Sequence, residues 1–207
     1  MRAKIYDLLF HRLSKGWYRE VLERLPRQGQ LLDVGVGTGS SLLGNHALLR
    51  ERELRVLGID INVSYLRAAQ QRAQAEGLAE QVALREQSVY DLDGERFDAV
   101  YFSASFMLLP DQLSALQVVQ RQLREGGKIY FTQTFEKKKN RLMELIKPLL
   151  YRITTVHFGV VTYEAPFLAL LQEAGLELCE NCVLSSSARR EVRLISATRS
   201  GAHSDAT

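Results

Sequence analysis

The sequence predicts a doubly wound α/β fold: a seven-stranded sheet, mostly parallel with one antiparallel strand, and helices on both faces. Three observations lead there. Short apolar runs alternate along the chain with segments of helical periodicity. A glycine-rich turn, Gly35-Val36-Gly37-Thr38-Gly39, joins the first strand-like run to a helix. The last two strand-like runs follow one another with no helix between them, which predicts a C-terminal hairpin and hence one strand running against the rest.

The first helix is expected over Arg2 to Leu25, from Phe10, Leu13, Trp17 and Val21 at helical spacing. Ser14-Lys15-Gly16 marks a break in it and Pro26 its stop. Leu31 to Val34 reads as the first strand, Ser40 to Glu53 as one helix, and Leu54 to Ile59 as the second strand. A helix over Val63 to Glu76 follows, with Leu66, Ala69 and Ala73 on one face and Gly77 as its stop. Strands are expected at Val82 to Arg85 and Phe97 to Phe102, a helix at Asp111 to Arg124, and a fifth strand at Lys128 to Thr134. Thr162 to Ala174 is again helical, and Leu176 to Leu184 and Glu191 to Thr198 form the hairpin. One domain over 1–200 accommodates all of this, with 201–207 a small, polar tail.

Composition narrows the function classes. Hydrophobic residues are 46% and charged residues 25% of the 207, which are globular proportions. The net charge of +3 is too small by itself to imply a nucleic-acid or membrane partner. No run of 18 apolar residues exists, and the N-terminus lacks the apolar core of a secretory signal. Its basic, amphipathic opening resembles an organellar presequence but is interrupted by Asp7, Glu20 and Glu23, so it reads as a domain helix; the expected location is cytoplasmic, with organellar import as the alternative. Cys179 and Cys182 form a C-x-x-C inside the sixth strand. A redox pair of that spacing usually opens a helix, and a metal site needs a second pair, so strand packing is the expected role.

The residues Leu32-Asp33-Val34-Gly35-Val36-Gly37-Thr38-Gly39-Ser40 carry the strongest signal. Alternate glycines let the backbone turn sharply and approach a ligand closely, at the sheet edge where doubly wound folds bind. Asp60 lies at the tip of the second strand, where a carboxylate can accept from both hydroxyls of a ribose. A dinucleotide loop runs G-x-G-x-x-G, whereas this one is the tighter G-x-G-x-G after an acid.

Here the chain resembles the class I S-adenosylmethionine-dependent methyltransferases, whose fold is Rossmann-like, and the resemblance covers nearly all of it. Asp33 to Gly39 is similar to that family's first motif, which wraps the methionine part of the cofactor, and Asp60 to its ribose-binding acid. Phe97 to Val100, Ser103 to Asp111 and Leu123 to Lys128 resemble its fourth strand, the loop after it and the turn into the fifth. Tyr6-Asp7 and Trp17-Tyr18-Arg19 are similar to the opening of two subgroups, the quinone C-methyltransferases and the bacterial phosphatidylethanolamine N-methyltransferases. In these the first helix covers the cofactor, which implies a place for Tyr6 near the methionine end; core packing is its other reading. The resemblance thus implies S-adenosylmethionine as cofactor, held by Tyr6, Asp33, Gly35, Gly37, Gly39, Asp60, Ile61, Ser88, Val89 and Ser103. Ser88 departs from the pattern. The family usually places an acid there against the adenine amino group, and a serine accepts that bond without charge assistance.

Methyl transfer from a sulfonium is an in-line displacement to which an enzyme contributes mainly alignment and exclusion of water. A base helps but is not always needed, so no catalytic residue is assigned. His11 and His157 fall in segments expected to cover the site, while His46 and His203 read as surface and tail. Base-methylating relatives carry Asn or Asp and then Pro-Pro-Tyr after the fourth strand, where this chain has Ser103-Ala104-Ser105-Phe106, so no strong nucleic-acid signature is present.

Residues 136–160 form a basic insertion. Leu142, Leu145, Ile146, Leu149 and Leu150 share one helical face, and Lys137, Lys138, Lys139, Arg141 and Lys147 lie elsewhere. A lid over the site is the plainest reading. Peripheral contact of 136–152 with a membrane or another anionic surface, and a nucleic-acid or protein partner, are the alternatives. The expected function is methyl transfer to a small-molecule or lipid-like acceptor under a cap formed by 1–25 and 136–160. The alternatives are a cofactor-binding assembly factor with little or no turnover, and a protein or RNA methyltransferase.

Overall fold

Strand β1 (Gln30–Val34) is buried at every residue after Gln30. A strand covered on both faces needs consecutive apolar residues, which is what Leu31, Leu32 and Val34 supply. The computed structural model describes residues 14–137 and 162–201, and all that follows concerns those residues.

Six further strands complete the sheet: β2 (Arg55–Asp60), β3 (Val82–Glu86), β4 (Phe97–Ser103), β5 (Leu123–Glu136), β6 (Leu176–Ser186) and β7 (Arg190–Arg199). Their order is β3-β2-β1-β4-β5-β7-β6. β1 pairs in parallel with both β2 and β4, so the chain winds outward in opposite directions from that point. β7 is antiparallel to both β5 and β6, and it alone runs against the others, as the hairpin predicts.

Helix α1 (14–24), α2 (Ser40–Leu43), α3 (His46–Glu51) and α4 (Val63–Ala75) cover one face. There Tyr18, Val21, Leu22, Leu42, Leu43, Leu49 and Leu66 pack on Leu31, Val56, Tyr101 and Tyr130. α5 (Gln112–Arg121) and α6 (Glu164–Glu173) cover the other, with Leu116, Val119, Phe167 and Leu171 against Leu32, Val100, Phe102 and Phe131. The aromatic rings there meet mostly edge to face, as in the Phe131–Phe167 pair with centroids 5.2 Å apart, while Phe102 and Phe131 stack in parallel.

Four details differ from the sequence expectation. The helix expected over 40–53 is divided at Gly44-Asn45, and Asn45 accounts for the division. Its buried side-chain amide donates to Lys15 O at 3.0 Å and to Ser41 O at 2.8 Å, so the break docks α1. Ser14 to Gly16, the expected break, are themselves helical with the rest of 14–24, and the part of the expected helix before them lies outside the described residues. β5 begins at Leu123 rather than Lys128, because Leu123 pairs with Phe97 across a register shift that absorbs the Gly126-Gly127 turn. Finally, Cys179 and Cys182 do lie in β6, but both are exposed free thiols rather than packed ones. β6 is the outermost strand, and beyond its first residue, Leu176, it is at most half-covered, which hydrophobic patterning alone does not reveal.

Candidate cofactor site

The carboxyl ends of β1, β2, β3 and β4 meet where the winding reverses, the place where open α/β sheets bind ligands. β1 delivers Asp33, which is completely buried. The Tyr18 hydroxyl, reaching in from α1, donates to Asp33 Oδ2 at 2.8 Å, while Asp33 Oδ1 is buried with no hydrogen-bond partner. Burial pushes the Asp33 carboxyl up to about 7; the Tyr18 bond works against this and the charge of Asp60 adds to it. The Tyr18 phenol is raised well above its ordinary value, by burial first and then by Asp33.

Gly35, Gly37 and Gly39 all adopt left-handed backbone, with φ of 78°, 57° and 64°. Gly35 is further constrained by space, since a Cβ there would lie 2.7 Å from Ser105 Cβ. Ser105 belongs to the loop after β4, and its hydroxyl donates to Val34 O at 2.5 Å, fastening that loop to the glycine turn. Ala104, just before it, is itself left-handed at φ 55°. The turn is fastened to β2 as well: Gly35 N and Val36 N both donate to Ile59 O.

Asp60 bridges two elements. Its Oδ2 accepts from Gly37 N at 2.9 Å and its Oδ1 from Asn62 N at 2.8 Å, while Asn62 Oδ1 in turn caps α4 through Ser64 N and Tyr65 N. Each carboxylate oxygen accepts more than one bond, so capacity for a ligand hydroxyl remains. Ile61, next in the chain, is 76% exposed, an unusual position for a large apolar side chain beside a polar site. Beyond β3, the Ser88 hydroxyl accepts from Tyr90 N at 3.3 Å, and Val89 is buried in the core behind the site. Ser103 ends β4 half-buried, beside the hydroxyls of Tyr18 and Tyr101.

A family profile described as a methyltransferase domain matches residues 27–164. The chain belongs to that family. It is 30% identical over 151 residues to a phosphatidylethanolamine N-methyltransferase of Cereibacter sphaeroides, covering 72% of each chain. It is 27% identical over 157 residues to a demethylmenaquinone methyltransferase of Lactiplantibacillus plantarum, covering 71% of this chain and 63% of that one. Among solved structures, a geranyl diphosphate methyltransferase in complex with S-adenosylmethionine shares the fold at a TM-score of 0.72 and 17% identity, over 91% of this chain and 86% of that one. This protein is a class I S-adenosylmethionine-dependent methyltransferase with a Rossmann-like fold.

In the methyltransferase, nine of the ten residues expected to hold the cofactor lie within the described structure. Asp33, Gly35, Gly37, Gly39, Asp60, Ile61, Ser88, Val89 and Ser103 come from the carboxyl ends of neighbouring strands and the turns that follow them. Tyr6 lies outside the described residues, as do His11, His157 and His203, and of the basic insertion 136–160 only Glu136 and Lys137 lie within them. His46 is on the surface, 3.2 Å from Glu76. Among the described residues no helix is long and apolar enough to cross a membrane.

The sequence reading did not single out Tyr18, Ser105 or Asn62 as site residues. Asn62 had a signal, an Asn directly before a helical run. Tyr18 had a weaker one: it lies on the same stripe as Val21, Leu22 and Leu25, and a buried phenol requires a partner. Ser105 had none, because its partner is the Val34 carbonyl, 71 positions away in the chain.

Proposed function

We propose that this methyltransferase transfers a methyl group to a small-molecule or lipid-like acceptor, with the cofactor held by Asp33, Gly35, Gly37, Gly39, Asp60, Ile61, Ser88, Val89 and Ser103. The observation that carries the reading is the pairing of the left-handed glycine turn with two carboxylates of different status. Asp60 is bonded to the turn, whereas Asp33 Oδ1 is buried and unanswered. Space beside Gly37 is open, with nothing within 4 Å of where a Cβ would stand, so the turn can accept a close ligand.

S-adenosylmethionine supplies the transferable methyl on a sulfonium. Asp60 is suited to the ribose hydroxyls and Asp33 to the α-ammonium. The Ile61 side chain, exposed beside Asp60, is suited to one face of the adenine. Ser88 can accept from the adenine amino group only by sharing an oxygen that already caps the turn at Tyr90, so that contact is a weak one. The residues orient and exclude water; the displacement then needs only a correctly placed nucleophile.

The lipid-like acceptor is supported by two relatives named for phosphatidylethanolamine and demethylmenaquinone, both lipid-soluble molecules. The basic 136–152 segment suits contact with an anionic surface that would present such an acceptor. Free, exposed Cys179 and Cys182 suit a reducing compartment such as the cytoplasm.

The test is to incubate the protein with methyl-labelled S-adenosylmethionine and cell lysate, then separate organic-soluble, small aqueous, protein and nucleic-acid fractions, with Asp60→Ala run alongside. Label is expected in the organic or small-molecule fraction and at most a small part of it with the variant. A hydrogen bond to a charged group is worth roughly 1.5–3 kcal/mol, so the variant should bind cofactor about 10- to 100-fold more weakly. Label confined to protein or nucleic acid would overturn the proposed acceptor class.

A further inference from the structure

We infer that Tyr18 is a positioning residue for cofactor binding: it holds Asp33 so that the free Oδ1 faces the ammonium of the cofactor's amino-acid end. The inference rests on the cofactor reading above and adds a residue of α1 to it.

Asp33 is an incomplete site. One oxygen is bonded to Tyr18 at 2.8 Å, and the other is buried with no partner. Among the described residues no Lys, Arg or His pairs with Asp33, and the charge that reaches it is that of Asp60, of the same sign. A buried carboxylate oxygen in that state calls for a cationic N–H donor from outside the protein. The glycine turn begins two residues later, so a ligand lying along that turn passes directly by Asp33. The α-ammonium is the group of the cofactor that answers this demand.

Tyr18 is built to hold that carboxylate still. Its ring is buried and meets Tyr101 edge to face, with centroids 4.9 Å apart at 82°. Tyr101 is pinned in turn by a 2.8 Å bond between its hydroxyl and Thr132 Oγ1. Helix α1 is fixed as well, through its Lys15 carbonyl, which accepts from Asn45, and through the Ser14 side chain, whose Oγ lies 2.6 Å from Ser41 Oγ. Tyr18 therefore approaches Asp33 from a rigid frame, and its hydrogen bond ties down one of the two carboxylate oxygens. Without the phenol, Asp33 Oδ2 would also lack a partner. Its carboxyl would then be free to rotate or to keep a proton, and either change removes the acceptor that the ammonium needs.

The measurement is calorimetric titration with two probes, S-adenosylhomocysteine, which has the amino-acid end, and 5′-methylthioadenosine, which lacks it. Tyr18→Phe is expected to weaken S-adenosylhomocysteine about tenfold and to leave 5′-methylthioadenosine within about twofold. Equal weakening of both would mean that Tyr18 serves only the fold, and unchanged binding of both would mean that Asp33 needs no support; either overturns the inference. Should Tyr18→Phe not fold, Asp33→Asn reports on the same contact. It should bring the two affinities close together, and a preserved preference for S-adenosylhomocysteine would refute the ammonium contact. Wild-type protein that binds neither probe removes the cofactor reading itself, an outcome distinct from a failure of Tyr18 alone.

Discussion

Asp33 titrates near neutrality because β1 carries it into a dry interior where its charged form loses hydration. In the unfolded chain the same carboxyl has its ordinary value of 3.8, against about 7 in the folded one. The folded state therefore holds the proton more tightly than the unfolded state between those values. Its contribution to stability is full below pH 4, declines as pH rises to 7 and is absent above. The displacement amounts to at most about 4 kcal/mol. Urea melts of unliganded protein at pH 5 and pH 8 check this against Asp33→Asn, which cannot titrate. The variant should gain on the wild type as the pH rises, and a constant gap between them would show that Asp33 is ionised throughout. Asp33 and Asp60 were legible in the sequence because each sits beside a strand end that the pattern already defines. Tyr18 was not, because its role exists only once α1 has packed across β1, 15 positions on in the chain.

At the scale of elements, the order of strands and helices was readable from periodicity, and so was the antiparallel place of β7, since a hairpin admits no other. What periodicity missed were places where one buried polar side chain overrules it. Asn45 is the clearest. The apolar spacing through Leu42, Leu43, Leu48 and Leu49 continues as though one helix ran across the break. The two carbonyls at Lys15 and Ser41 nevertheless capture the Asn45 amide and divide the segment. Replacing Asn45 by Ala leaves those carbonyls without that donor and loosens α1 from α2. The expected cost is about 1–3 kcal/mol, or a fall of roughly 2–12 °C in Tm for a domain of this size, measurable by thermal melting. An unchanged Tm would show that water replaces the amide without loss. The start of β5 was missed for a related reason: its pairing with Phe97 depends on a register shift, which no single-strand pattern records.

At the scale of the whole molecule, the sheet has a helix-covered middle and two edges, and the edge formed by β6 is long and exposed. Eleven residues, Leu176–Ser186, lie there, with Leu178 and Val183 each 49% exposed. Such a strand is a template on which other chains can pair and clump. Its register, however, shifts twice against β7, between Leu178 and Glu180 and between Val183 and Ser185. Each shift bends the strand and throws its outward N–H and C=O groups out of the even spacing that an incoming strand requires. Deleting Cys179 would even out the first irregularity and present a straighter, stickier margin. That variant should scatter more light on standing at high concentration than the wild type, and equal scattering would mean that Glu177 and Glu180 alone keep the molecules apart.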